Sequence, residues 1–454
     1  MALDRKTFRY YWWLVIEFIK KHLKLIVLSF FVSFIIIIGL ISLSPYLHPI
    51  LGVRSEVIGL VGQYDFNNLP DEITTKISNG LIFINEKGEV IPALASSWEL
   101  VGSGKEYRFH LRDNLIWNDG KAFTTKDISY NFKDVEKIIV DDKTIYFRFK
   151  KAMPTFPNYL KKPIIKYPLV GVAGLYKVDH IKTKYGYVKE LSLSPNQKGL
   201  PPIKYLFYDN ENQLVNAYKK GEINQMTTAK KSIADIFSSW KNTKIERSMD
   251  YSRLLTLFFD LNNPLLKEKE VRQAIIMAID NSQFEKYGEI AVGPIPPFSW
   301  AYNPDLKNPV YQEDTAEKII KKTVDASQSA QLKLTTYYDY LDVAEEIVKY
   351  LKNAGLNVKL NLISYDKPNN FDFLLAYWKI PFDPDQYFFW HSTQTQGNIG
   401  NYKNVKVDKL LEDGRTTLSI EERRKIYYEF QKVIQDDPPA AFIYYPYVYT
   451  IRRK

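Results

Sequence analysis

The stretch with the most chemistry in it is residues 378–391, WKIPFDPDQYFFWH. Two carboxylates, Asp383 and Asp385, stand two positions apart among aromatic rings. Carboxylates in such a setting can hold an ammonium group or a chelated cation, and rings can stack on a solute's apolar parts or face a cation. Trp378, Phe382, Asp383, Asp385 and His391 are therefore candidate ligand contacts. The same residues also fit a plainer role, a Pro-rich surface turn whose aspartates cap a following helix.

Motifs for covalent chemistry are missing. Gly102-Ser103-Gly104-Lys105 has the look of a phosphate loop, but its leading Gly is absent and Glu106 stands where Ser or Thr is needed. No G-x-S-x-G elbow occurs. The five histidines, His22, His48, His110, His180 and His391, are scattered, with no H-E-x-x-H. Asp141-Asp142 reads as a turn former rather than an acid–base pair. With no cysteine in the chain there is no thiol nucleophile, thiolate metal site or lipid-modified N-terminal Cys. The expectation is a protein that is not an enzyme, with no cofactor and no metal site.

The aspartate loop follows a nearly continuous apolar run, Phe371 to Trp378, which reads as a buried strand. Around it the chain alternates between elements. Leu254 to Leu261 is a buried strand closed by Asn262-Asn263-Pro264. Lys269 to Ile279 is a helix with Val271, Ile275 and Ala278 on one face. Leu341 to Leu351 is a helix ended by Gly355, and Val358, Leu360 and Leu362 alternate as a strand. Ser419-x-x-Glu422 opens a last helix, stopped by Pro438-Pro439. This order argues for an α/β lobe with a mixed sheet. Upstream, Val57 to Val61, Ile82 to Ile84, residues 105–112, two runs around Asp141-Asp142-Lys143, and Lys204 to Tyr208 read as strands. Gln213 to Lys220 reads as a helix ending at Gly221. Thr124-x-x-Asp127 predicts a helix start, with Ile128 and Phe132 on its inner face.

The chain has 454 residues and a formal charge of +10. Residues 1–24 carry six Lys/Arg against Asp4 and Glu17, so much of the excess is local. No dense basic run follows, which argues against nucleic acid as a partner. Leu25 to Leu43 is an unbroken apolar run of 19 residues, about 28 Å as a helix, enough for one bilayer core. Lysines precede it and none follows closely. The expectation is a cytoplasmic basic and aromatic segment (1–24), a transmembrane anchor (25–45) in the cell membrane, and an extracytoplasmic main domain from residue 55.

Pro92 to Phe132 reads PALASSWELVGSGKEYRFHLRDNLIWNDGKAFTTKDISYNF. It resembles the signature region of family 5 extracellular solute-binding proteins, the peptide- and nickel-binding receptors of ABC importers. Pro92, Trp98, Glu99, Tyr107, Phe109, Arg112, Trp117, Asp119, Gly120, Phe123, Thr124 and Asp127 are among the matching residues. Further blocks resemble that family at Gly221-Glu222-Ile223, Phe259 to Asp280, Asn401-Tyr402 to Leu411, and Glu422-Arg423 to Pro438. The resemblance implies a type II periplasmic-binding-protein fold: two α/β lobes around a cleft, preceded here by one transmembrane helix. Lobe I would be residues 55–258 plus 438–454, with an inserted subdomain, and lobe II residues 259–437. It implies capture of a peptide or other small solute by lobe closure and delivery to ABC permease subunits, and it adds Asn401 and Tyr402 to the candidate contacts. Two departures stand out. Relatives read W-x-A-D-Y-x-D-P after the strand, and Pro381 here occupies the position of the Asp that would meet a peptide's α-amino group. Val170 to Tyr176 lacks the family's T-G-P. These departures leave room for an alternative, a membrane-tethered scaffold or assembly protein built on a degenerate solute-binding fold.

Overall fold

The structure is a computed structural model that describes residues 5–51, 55–85, 89–102, 104–323, 331–364 and 368–454. The chain divides into two compact units, Met1–Glu56 with Gly199–Ile203, and Val57–Lys198 with Lys204–Lys454.

In the first unit, Arg5–Leu51 is one α-helix of 47 residues, so the backbone over the apolar run is helical. Side chains of residues 5–8, 10, 11, 35, 36 and 39–51 lie outside the described set. Among the described residues no helix is long and apolar enough to cross a membrane. The longest continuous stretch with described side chains, 12–34, carries Glu17, Lys20, Lys21 and Lys24. Its apolar residues, including Leu25, Leu28 and Phe30, are exposed.

The second unit is built on a mixed sheet. One long strand, Ala440–Arg453, organises it. Its first half pairs antiparallel with Arg253–Phe259 (Leu257↔Ala441) and with Gly288–Ile290 (Glu289↔Tyr445). Its second half pairs with Thr243–Met249 (Met249↔Tyr447) and with Gln225–Thr228. Pro446 marks the changeover. It has no N–H to give a ladder, and its carbonyl accepts from Asp250 N at 2.9 Å, at the turn between the two partner strands. Two stretches of chain, 249–253 and 446–447, thus run side by side where the two halves of the sheet meet.

Beyond Arg253–Phe259 the sheet continues through Phe373–Lys379, Leu332–Tyr337 and Val358–Ile363, the last two pairs parallel. The helices Lys269–Ala278 and Leu341–Asn353 cover one face over a core of Leu255, Leu257, Ile275 and Ile347. The helices Val405–Thr416 and Ile420–Asp436 cover the other, over Trp378, Trp390, Tyr427 and Phe442. Both faces being covered explains why Arg253–Phe259 is apolar at nearly every position rather than alternating. On the other side, Glu56–Val61, Ile203–Tyr208 and the hairpin Tyr176–Lys184/Tyr187–Pro195 extend the sheet.

A separate four-stranded sheet, in the order Ala95–Val101, Glu106–Leu111, Thr144–Phe149, Val135–Ile139, holds its own aromatic core of Tyr107, Phe109, Phe147 and Phe156. Glu106–Leu111 alternates as its pattern predicts, and Gly120 takes the left-handed turn conformation (φ 86°). One expectation fails here. Thr124 and Asp127 do form the reciprocal capping bonds, but only a single 3₁₀ turn, Thr125–Asp127, follows. The chain then runs extended, and Ile128 and Tyr130 are buried at a spacing of two. Ile128 and Phe132 fit both a helical face and an alternating strand; Tyr130 between them, bonded to Leu160 O at 2.8 Å, requires the extended form.

Candidate functional site

Phe373–Lys379 ends at the changeover region, where the carboxyl ends of the parallel strands also point. Ligands of open α/β sheets gather at such ends. Trp378 is buried, and its indole N–H donates to Thr256 Oγ1 at 3.1 Å, so it forms a wall rather than a free surface. Ile380 N then donates to Ser252 O at 2.8 Å, tying the loop to the crossover turn.

Both aspartates of the loop are already engaged. Asp383 Oδ1 accepts from Arg423 at 2.8 Å and from Asp385 N at 3.0 Å, while Oδ2 accepts from Asn158 Nδ2 at 2.8 Å. Asp385 pairs with Arg415 Nε at 2.9 Å and accepts from Tyr387 N at the start of the short helix Tyr387–Trp390. Burial raises the Asp385 carboxyl above the usual carboxylate range, and the Arg415 charge opposes that rise. The four charges cancel. An incoming ammonium would have to displace a resident guanidinium, so the plainer reading, aspartates that order a turn, describes much of their use here. Asn158 lies on the 3₁₀ turn Phe156–Lys161, so its bond joins residues 225 positions apart.

His391 is buried and stacked on Tyr387 at 4.0 Å. Its Nδ1 accepts from Thr393 N at 3.2 Å, which leaves Nε2–H to face Glu412 at 3.4 Å. Asn401 takes a left-handed conformation (φ 56°) and donates to Asp260 at 2.9 Å. Tyr402 packs in the same core as Trp378, but its hydroxyl turns to Asp437 at 3.2 Å, and burial, with that carboxylate beside it, raises its pKa well above the ordinary phenol range. The structure thus gathers Trp378, Phe382, Asp383, Asp385 and His391 along one loop, and gives Asn401 and Tyr402 framework partners of their own.

Phe382 is the member of the set left open. Its ring is 6.5 Å from Phe298, which is 5.3 Å from Tyr251, and Lys161 Nζ stands 4.9 Å above its face. Next to these rings, at the crossover strands, is a cavity of about 520 Å³ lined by Met249, Glu289, Ile295, Tyr302, Tyr445 and Tyr447. Tyr251 donates to Glu289 at 2.7 Å. Ion pairs bridge the flanking elements: Lys379 to Asp71 at 3.5 Å, and Lys230 to Asp339 at 3.3 Å. Sequence reading missed Arg415, Arg423, Asn158, Tyr251, Phe298 and Glu289. Arg423 had a signal, since it sits in a block that resembles the family. The others come from segments far apart in the chain, and no spacing rule links them.

A family model for bacterial extracellular solute-binding proteins, family 5 (middle region), matches residues 89–400. The chain belongs to family 5 of the bacterial extracellular solute-binding proteins. As a family 5 protein it is a solute-binding protein and not an enzyme. Among its relatives, the oligopeptide-binding protein AppA of Bacillus subtilis is 25% identical, with 86% of each chain covered. The probable deoxycholate-binding periplasmic protein YgiS of Escherichia coli is 21% identical, with 83% of this chain and 84% of that one covered. In fold, the chain superposes on the substrate-binding protein CtaP of Listeria monocytogenes with a TM-score of 0.77 at 23% identity, covering 88% of this chain and 94% of that one. Its TM-score against NikZ of Campylobacter jejuni, solved with Ni(L-His), is 0.74 at 21% identity over the same shares. The two-lobe α/β architecture expected from the signature blocks is therefore the fold of this family 5 protein.

Proposed function

We propose that this chain is the substrate-binding subunit of an ABC importer, anchored in the cell membrane, which captures peptides or a related small solute outside the cytoplasm. The observation that carries the reading is the cavity of about 520 Å³ at the paired crossover strands, a volume suited to a small solute. Two short neighbouring connections, 249–253 and 446–447, suit a hinge that lets two lobes close. We take lobe I as residues 57–249 with the second half of Ala440–Arg453, and lobe II as residues 253–437 with its first half, because Arg253–Phe259 pairs with Phe373–Lys379 and not with the first-lobe strands. Relatives named for oligopeptide and murein-peptide binding support a peptide; the one named for deoxycholate keeps other small solutes in view.

Within the site, Phe382 makes direct contact with the solute. Trp378, Asp383, Asp385 and His391 shape the loop, and Asn401 and Tyr402 hold the framework behind it. The helix over residues 25–45 spans the membrane with residues 1–24 in the cytoplasm; its long apolar run and the basic segment before it support this reading. Permease subunits are the partners on the membrane.

The full-length protein, purified in detergent, is incubated with a defined tripeptide pool, washed, and its retained molecules identified by mass spectrometry. Selective retention of peptides supports the reading; no retention and no thermal shift with any pool would sink it. Carbonate extraction tests the anchor, because a spanning helix keeps the full chain in the membrane pellet whereas a chain lacking residues 1–54 is released.

A further inference from the structure

Two carboxylates line the cavity at the crossover strands, the exposed Glu285 and the more enclosed Glu289. Glu289 is partly buried, it accepts the Tyr251 hydroxyl at 2.7 Å, and among the described residues it has no ion-pair partner. The carboxylates of the aspartate loop are each matched by an arginine. Tyrosine rings surround Glu289: Tyr251 and Tyr445 stand 5.3 Å apart, and Tyr302 and Tyr447 complete the lining. Burial holds the hydroxyls of Tyr251, Tyr302 and Tyr445 above their ordinary range, and the charge of Glu289 adds to the rise at each. Arg247 is nearby but stacks on Tyr447 at 4.4 Å and forms no ion pair with Glu289.

A carboxylate enclosed by aromatic faces is the arrangement that selects a compact organic cation: the carboxylate supplies the charge-assisted bond and the rings supply cation–π contact. A neutral or anionic group placed there would face an uncompensated negative charge. Resting on the receptor reading above, we infer that Glu289 is the cation anchor of the cleft, and that the solute is taken up through a primary ammonium group seated among Tyr251, Tyr302, Tyr445 and Tyr447. This assigns the role that Asp383 and Asp385 cannot fill while Arg423 and Arg415 occupy them. The position favours such a role mechanically too. Glu289 lies on Gly288–Ile290, and Tyr445 and Tyr447 lie on the strand it pairs with, so a ligand seated there touches the crossover that lobe closure must bend.

The test uses the full-length protein in detergent and isothermal titration with four forms of Ala-Phe-Ala amide: free amine, N-acetylated, N-acetylated with a lysine side chain at the centre, and that lysine acetylated. The free-amine form is expected to bind at least about tenfold more tightly than its acetylated partner. Glu289→Gln keeps an acceptor for Tyr251, and it is expected to erase that difference while leaving the acetylated form unchanged. Binding of the lysine form but not the free-amine form would place a side-chain ammonium in the cage and also support the inference. Equal binding of all four forms overturns it and leaves the receptor reading standing; binding of none also overturns it, while the receptor reading is decided by the tripeptide-pool retention above. If Glu289→Gln fails to fold, the amine-to-acetyl ratio of the unaltered protein and its decline with added salt decide the matter.

Discussion

Removing Arg423 isolates the strongest constraint on the aspartate loop. Its guanidinium donates to Asp383 and to Gly414 O, each at 2.8 Å, and lies 5.1 Å from the centre of the Trp300 ring. Arg423 and Asp383 are both nearly buried. Stripping one partner from a buried pair costs about 3–5 kcal/mol. Asp383 would keep Asn158 and a backbone N–H, so the lower end, about 3 kcal/mol, is expected for Arg423→Met. If the second lobe unfolds as a cooperative unit of roughly 200 residues, that is a drop of about 6–12 °C in its transition. The Asp383→Leu, Arg423→Met double variant removes both charges and should recover most of the loss, ending within about 1 kcal/mol of the parent. Differential scanning calorimetry of the four proteins forms a double-mutant cycle. A coupling energy near zero, with the two losses simply adding, would refute the claim that Asp383 is locked by Arg423 and therefore withdrawn from ligand binding.

Asp385→Asn should reveal the raised pKa of that carboxyl, which burial makes a weaker acid. A folded-state value above the unfolded one means its contribution is fully present below the ordinary carboxylate range and is lost as pH rises through the folded value. The parent should therefore gain stability relative to Asp385→Asn on going from pH 7 to pH 4.5, read by thermal unfolding; a relative loss would contradict the burial argument. Arg272 is buried and holds Asp437 along with the carbonyls of Leu266, Lys267 and Pro438, each carbonyl at 2.8 Å. Arg272→Met should cost about 3–5 kcal/mol in urea unfolding. Tyr402→Phe should cost about 1–2 kcal/mol through the bond to Asp437 and leave solute affinity unchanged in titration, whereas a loss of affinity would return Tyr402 to the ligand contacts.

Much of the scaffold is legible in local patterns. The buried strands 253–259 and 373–379, the helix 341–353 with Gly355 behind it, and the Ser419 cap all follow from apolar periodicity and end signals, which act over a few residues. The 3₁₀ turn after Thr124 shows where this fails. The capping signal is genuine and forms, but burial of Tyr130 against a distant segment outweighs the propagation of a helix.

The sequence by itself determined the family, the α/β class and the location of the aspartate loop, because those rest on residue order and short-range spacing. It could not say that Asp383 and Asp385 are neutralised, since their partners Asn158, Arg415 and Arg423 come from other elements. Nor could it single out Glu289, an unremarkable residue of a three-residue strand. Charge availability depends on what folding brings within about 4 Å and on what it shields from water. Only the tertiary structure decides that, and here it moves the cation anchor from the loop to the crossover cavity.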